Sequence, residues 1–357
     1  METNSRILAF IGSYADAAAP GLYACSYDTE TGQLELLEQA SGLQNPTFLT
    51  IDARSHKLYV LSEATDEEGK RCGAAATYEF HSETGQLTHL NTEKTVPATT
   101  CHIALDQTSQ LAMVSSYHGG MVGVSPILPD GSLGVTSDIQ QHEGSSLLPV
   151  QDRPRTHSVF VDRANRYVGV CDLGLDQIVM YKLDLESQRL ISHGVTKVTP
   201  GSGPRHFALH RTLPYGYVIN ELNSTIIAFA YDEEKGQLTE LQTVATLPED
   251  YTGDNATADI HISPDGRFLY GSNRGHDSIV VFEIDSSSGK LSYVEHSSTL
   301  GGHPRNFGIS PDGKFLLVAN RDGNNIVTLA RDGATGKLQP TGGELSVSKP
   351  VCIRFAE

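Results

Sequence analysis

The sequence predicts an all-β protein: a seven-bladed β-propeller with four antiparallel strands per blade, spanning residues 1–357 as a single domain. Three observations carry this expectation. A short glycine motif recurs with a period of about 50 residues, in the range of propeller blades. A hairpin pattern sits between its copies, and the two chain ends supply complementary parts of one further unit.

The glycine motif appears as "TGQLELL", "TGQLTHL", "DGSLGVT", "KGQLTEL", "SGKLSYV" and "TGKLQPT", with its glycine at 32, 85, 131, 236, 289 and 336. A degenerate copy, "SQRLISH" at 187–193, fills the one gap, leaving spacings of 46 to 57 residues. The hairpin pattern reads "PTFLTIDARSHKLYVLSE", "HIALDQTSQLAMVSS", "HSVFVDRANRYVGVCDLG", "RHFALHRTLPYGYVINE", "DIHISPDGRFLYGSNR" and "RNFGISPDGKFLLVANR". Each is a short apolar strand, a polar turn and a second apolar strand, the signature of an antiparallel hairpin. Segments such as "SIVVFEID" and "KLSYVEH" supply the third and fourth strands, and no segment has helical periodicity.

Six complete units follow from this. The N-terminal "ILAFIGSY", "GLYACSYD" and "QLELLEQ" match strands two to four of a seventh, and the C-terminal "KPVCIRFAE" matches its first strand. The termini are therefore expected to complete one blade together, closing the ring and hiding both sheet edges.

The repeat also points to a site. Take the last residue of each first strand as an anchor: Asp52, Asp106, Asp162, His210, Ser263 and Ser310. Five residues earlier stand Thr47, Cys101, His157, Arg205, Ala258 and Arg305, with Val351 in the shared blade. Eleven residues later stand Glu63, Tyr117, Leu173, Glu221, Arg274 and Arg321, with Tyr14 in the shared blade. Paired strands bring both sets to one mouth of the central channel, with neighbouring strands about 4.8 Å apart. Structural repeats keep equivalent positions alike, whereas these positions diverge into ionisable residues. That divergence marks the mouth as the candidate pocket, against the plainer reading of self-paired rim charges such as Arg205 with Glu221.

Composition narrows the partners. A net charge of −17 excludes nucleic acid and anionic membrane surfaces, which demand a basic field, and leaves a small anion held by local arginines. No apolar run reaches the length of a membrane span. The start "METNSRILAF" lacks a leader pattern, and five scattered cysteines without a CxxC read as reduced thiols, so the expected compartment is the cytoplasm. Histidines 157, 206 and 261 lack metal-ligand spacing, and no GxGxxG or GxSxG motif is present, so neither a metal nor a dinucleotide is expected. The acidic stretch "ATDEEG" reads as a loop, and 138–156 reads as a long connection that is either a lid or a solvated loop.

The stretches "GPRHFALH…YVINELNSTI", "RTHSVFVDRANRYVGVCDLGLDQIVMY", "HISPDGRFLYGSNRGHDSIVVF" and "GHPRNFGISPDGKFLLVANRDGNNI" resemble the seven-bladed lactonase family. That family includes propeller-type 6-phosphogluconolactonases and fungal carboxy-cis,cis-muconate lactonizing enzymes. The resemblance covers nearly the whole chain. It implies cytoplasmic lactone chemistry without metal or organic cofactor. It also implies functional roles for His157 in "THSVFVD", Arg205 in "GPRH", Glu221 in "INEL" and Arg274 in "SNRG". In one departure, "DRPRTHS" carries Arg155 where many relatives have the first histidine of a "PHxHS" pattern.

The expected reaction is hydrolysis of a small anionic sugar lactone, with 6-phosphogluconolactone the leading candidate. His157 or Glu221 would be the general base, and Arg205 and Arg274 would face the oxyanion or a carboxylate. Arg305 and Arg321 would hold a phosphate, with His206 and Glu63 among the substrate-binding residues. Two alternatives remain open: a lactonizing cyclase using the same charges, and a non-catalytic binding scaffold. Oligomeric state leaves no mark on the sequence.

Overall fold

The anchors of the sequence repeat are turn-capping residues. Asp106 Oδ1 accepts the backbone N–H of Leu111 at 2.7 Å, and Asp162 Oδ1 that of Tyr167 at 2.9 Å. In two further hairpins the Ser263 and Ser310 hydroxyls accept the N–H groups of Phe268 and Phe315 at 3.0 Å. Each side chain satisfies a donor that the tight turn would otherwise leave unpaired, which is why short polar residues recur there.

The motif glycines have a different role. In this computed structural model, which describes residues 6–356, all six adopt positive φ between 60° and 83°, and Gln188 takes φ 56° in the degenerate copy. Met1–Ser5 and Glu357, the tips of the stretches "METNSRILAF" and "KPVCIRFAE", lie outside the described residues. Several of the motif carbonyls receive a hydroxyl from an adjacent blade. Tyr59 donates to Gly131, Tyr217 to Gly289, Tyr270 to Gly336 and Thr328 to Gly32, all at 2.8–2.9 Å. The repeat is therefore a clasp between blades as well as a turn.

Seven four-stranded antiparallel sheets result. Blades 1 to 6 span 49–94, 102–141, 156–197, 204–245, 256–298 and 304–346 in simple sequential strand order. The seventh joins Pro350–Phe355 to Arg6–Ser13, Leu22–Asp28 and Leu34–Ala40, as the two chain ends predict. Consecutive innermost strands pack against one another around the whole ring. The inner strands are buried, for example Phe315–Asn320 throughout, while outer strands such as Leu34–Ala40 are mostly exposed.

The connection at 138–156 differs from expectation. Asp138–Gln141 is the outer strand of blade 2, and only 142–155 is irregular, with a short 3-10 turn at Pro149–Gln151. The chain after Gly131 first tucks Leu133 into the neighbouring core, its N–H reaching Thr77 Oγ1 at 3.1 Å, which delays the strand. The irregular segment is pinned to blade 3. His142 contacts Asp172 at 2.7 Å, Ser146 donates to Asp176 at 2.6 Å, and buried Gln151 donates to the Leu173 carbonyl at 2.8 Å.

Candidate active site

Inner strands deliver the site residues through β-bulges. Pairing of Thr156–Val161 slips at His157, that of Pro204–Leu209 at Arg205, that of Pro304–Ile309 at Arg305, and that of Pro350–Phe355 at Val351. In Ala256–Ile262 the slip falls at Ala258 and Asp259. A bulge puts two residues opposite one and re-aims the extra side chain, here into the channel. The rim residues form one tier, and the next chain position in each blade a second: Phe48, His102, Ser158, His206, Asp259, Asn306 and Cys352. Of these, Phe48, His102, Ser158, His206 and Asp259 border the cavities of the channel, whereas Cys352 packs into a hydrophobic core.

The rim tier encloses a cavity of about 280 Å³ whose walls include Tyr14, Glu63, Cys101, Tyr117, His118, His157, Arg205, His206, Glu221 and Arg305. Below the second tier the channel reopens as a chamber of about 250 Å³ beside His261, Arg211 and Arg354. His206 borders both.

Arg205 and Glu221 form the centre. Arg205 is 2% exposed; its Nε donates to Glu221 Oε2 at 2.8 Å, and its Nη1 donates to the Ala258 carbonyl at 2.6 Å and to His206 Nε2 at 3.1 Å. Among the hydrogen bonds of the described residues none uses Nη2, so two of the five guanidinium protons remain for a ligand. Burial, then Arg305 and Arg274, lower the Arg205 pKa to about 9, which leaves it cationic at neutral pH. Arg274 also meets Glu221 Oε2, at 3.0 Å, and is fixed by the carbonyls of Ala256 and Thr257. Both cations thus share one carboxylate oxygen, while no hydrogen bond among the described residues engages Oε1. Burial works to raise the Glu221 pKa, but Arg274 and Arg205 outweigh it and hold the group below its ordinary value.

His157 is 4% exposed, and its Nδ1 is buried with no hydrogen-bond partner among the described residues. Burial first, then Arg205 and His206, push its pKa well below the usual imidazole range, so the ring is neutral. Its ring centroid lies 5.2 Å from that of His206 and 5.7 Å from that of Tyr117. Arg155, the departure noted in "DRPRTHS", packs its guanidinium 4.9 Å from the Tyr117 ring centroid and pairs with Asp152.

The remaining sequence-predicted residues separate. Arg305 lines the cavity and, among the described residues, makes no hydrogen bond or ion pair; its nearest recorded partner is the Tyr14 ring, 5.9 Å from the guanidinium carbon. Arg274 stands behind Glu221 and is not part of the cavity wall. Arg321 lies in an adjoining groove beside Tyr14 and Lys349 and pairs with Asp322 at 2.7 Å. Glu63 lines the cavity, but Asn45 and Arg71 engage its two oxygens. His206 lines it with both ring nitrogens already in contact, at 3.1 Å with Arg205 and 2.7 Å with Asp259.

Asp259 and Asn306 escaped the rim alignment, although polar residues recur at their position in His102, Ser158 and His206, a signal available in the repeat. Burial raises the Cys101 pKa, and its thiol donates to the His157 carbonyl at 3.4 Å, features of a packed thiol and not of an activated nucleophile. Among the described residues no group of three His, Cys, Asp or Glu side chains is arranged to hold a metal ion. No helix among them is long and apolar enough to cross a membrane.

Comparison with known proteins accords with this geometry. A family model described as lactonase, 7-bladed β-propeller, matches residues 8–355. The chain is 35% identical to a 6-phosphogluconolactonase of Bacillus subtilis (strain 168) over 351 residues, covering 98% of this chain and 99% of that one. It is 35% identical to a 6-phosphogluconolactonase of Formosa agariphila over 306 residues, 84% of this chain and 85% of the other. The solved periplasmic gluconolactonase of Pseudomonas aeruginosa superposes with a TM-score of 0.91 at 30% identity, covering 98% of this chain and 99% of its own. With its closed ring of seven blades and a charged cavity at one mouth, the chain belongs to the seven-bladed β-propeller lactonase family and is a lactone hydrolase.

Proposed function

We propose that this enzyme hydrolyses a phosphorylated aldonolactone, with 6-phosphogluconolactone as substrate. The carrying observation is the guanidinium of Arg305, which lines the cavity with no hydrogen bond or ion pair among the described residues, whereas Arg205, the other cation of the wall, is tied to Glu221. In a chain of net charge −17, a lone buried-facing arginine is an invitation to an anion, and its planar fork suits a phosphate. The lactones named in two relatives, 6-phosphogluconolactone and gluconolactone, differ by a phosphate, the group that the Arg305 guanidinium would hold.

Hydrolysis then proceeds by water attack on the lactone carbonyl. Glu221 Oε1, the carboxylate oxygen that no hydrogen bond among the described residues engages, takes the proton from the attacking water. The two Nη2 protons of Arg205 receive the developing oxyanion. Collapse of the tetrahedral intermediate breaks the bond to the ring oxygen, and Glu221 returns its proton to that oxygen. His157 is the poorer base, because burial and Arg205 both oppose an imidazolium; it orients the water as a neutral ring.

Kinetics on matched lactones test the assignment. Arg305→Gln is expected to raise KM for 6-phosphogluconolactone by about 10- to 100-fold, the loss of one charge-assisted contact, and to leave unphosphorylated gluconolactone unchanged. Equal effects on both substrates, or a wild type that prefers the unphosphorylated lactone, would overturn the phosphate assignment.

A further inference from the structure

We propose that Asp259 sets the tautomer of His206 and thereby aims Arg205, which makes His206 and Asp259 positioning residues and not substrate ligands. Asp259 is 2% exposed, and donors converge on its carboxylate from several elements. Its Oδ1 accepts from Ile260 N at 3.0 Å and lies 2.7 Å from His206 Nδ1. Its Oδ2 accepts from Phe307 N at 3.4 Å and from Asn306 Nδ2, and lies 2.9 Å from His261 Nε2.

Two of these contacts have a polarity no rotation can change, the backbone N–H groups. Asn306 is fixed as well, since its Oδ1 accepts Ile353 N at 2.7 Å and so turns its amide nitrogen toward Asp259. An ionised carboxylate offers no proton in return. Burial raises the Asp259 pKa, but His261 and His206 outweigh it, and the group stays well below the usual carboxylate range.

His206 must therefore carry its proton on Nδ1 and present a lone pair at Nε2. That lone pair receives Arg205 Nη1 at 3.1 Å. With Ala258 and Glu221 it consumes three guanidinium protons and leaves the Nη2 pair unused among the described residues, on a side chain that lines the cavity. In the opposite tautomer two N–H groups would face each other across that 3.1 Å contact, and the fork would have to move. Burial and Arg205 hold the His206 pKa to about 4, so the arrangement persists across the neutral range.

The idea rests on the role given above to Arg205, but its first test does not depend on any substrate. Long-range 1H–15N spectra of histidine-labelled enzyme report which nitrogen of His206 is protonated. The wild type should show Nδ1–H; an Nε2–H form would overturn the proposal whatever lactone is turned over. Asp259→Asn keeps its carbonyl toward the three donors on the Oδ2 side and turns its amide toward His206, giving up the single Ile260 N–H contact at Oδ1. The ring should switch to Nε2–H, and kcat should fall by about 100-fold, comparable to losing one oxyanion donor, with KM changed far less because Arg305 is untouched. A switched tautomer with kcat intact would overturn it.

A second pair of variants guards against misfolding at Asp259. His206→Gln retains an acceptor oxygen for Arg205 and is expected to keep kcat within about tenfold of wild type. His206→Leu removes the acceptor and is expected to lose about 100-fold. Equal losses in the two would assign His206 a packing role only.

Discussion

Glu221 shows how one side chain can be both neutralised and available. Arg205 and Arg274 crowd its Oε2 at 2.8 and 3.0 Å, while no hydrogen bond among the described residues engages the other oxygen of this cavity-lining residue. Its carboxyl is held below the ordinary value of 4.5, so it is ionised throughout the neutral range. A base must be deprotonated to act, and a lowered pKa keeps it so to lower pH. The profile of kcat/KM should therefore run flat from pH 8 through 6.5 and fall only below about 4.5. A limb near 6.5 would fit neither Glu221 nor His157, whose pKa values both lie below it, and would overturn the assignment. Glu221→Gln should cost roughly 10²- to 10⁴-fold in kcat, the usual worth of a general base, while His157→Gln should cost less.

At the level of the element, the bulge and the clasp divide the work. The bulge delivers polar groups: neutral His157 and the cations Arg205 and Arg305 all reach the channel at the same register slip in three different blades. The clasp holds neighbouring blades at a fixed distance, and its glycines are there for backbone reasons. Gly336, at φ 74°, lies against the Phe268 ring, and its carbonyl receives the Tyr270 hydroxyl. Gly336→Ala adds a left-handed strain of about 1–2 kcal/mol and drives a methyl into that ring, at a further cost of about 1–3 kcal/mol. The melting temperature should fall by several degrees with the site chemistry unaltered; an unchanged melt would deny the clasp any energetic role.

Across the whole molecule, the channel axis concentrates buried neutral histidines. His102 and His157 have pKa values well below the ordinary 6.5, chiefly through burial, and His206 is lowered to about 4. Below pH 6.5 the unfolded chain binds protons at these rings while the folded chain does not, so stability falls as pH falls. Each ring contributes up to about 1.4 kcal/mol per pH unit, between 6.5 and its folded pKa. Thermal unfolding should therefore show a declining midpoint from pH 6.5 to 5, and His102→Gln should flatten the decline. A midpoint that is constant or rising over that interval would contradict this account.

The sequence by itself determined the architecture. Periodicity, turn chemistry and the complementary ends are local or evenly spaced signals, and they led to seven blades, ring closure and the mouth where His157, Arg205 and Glu221 gather. It did not decide which charges find partners. Arg274, Arg305 and Arg321 look alike along the chain, yet one backs Glu221, one lines the cavity with no ion pair among the described residues and one leaves for Asp322. Nor did it reveal Asp259 beneath His206, a contact between residues 53 apart in sequence. Pairing across blades depends on side-chain directions set by bulges and ring curvature, and a repeat carries no record of those until the ring has closed.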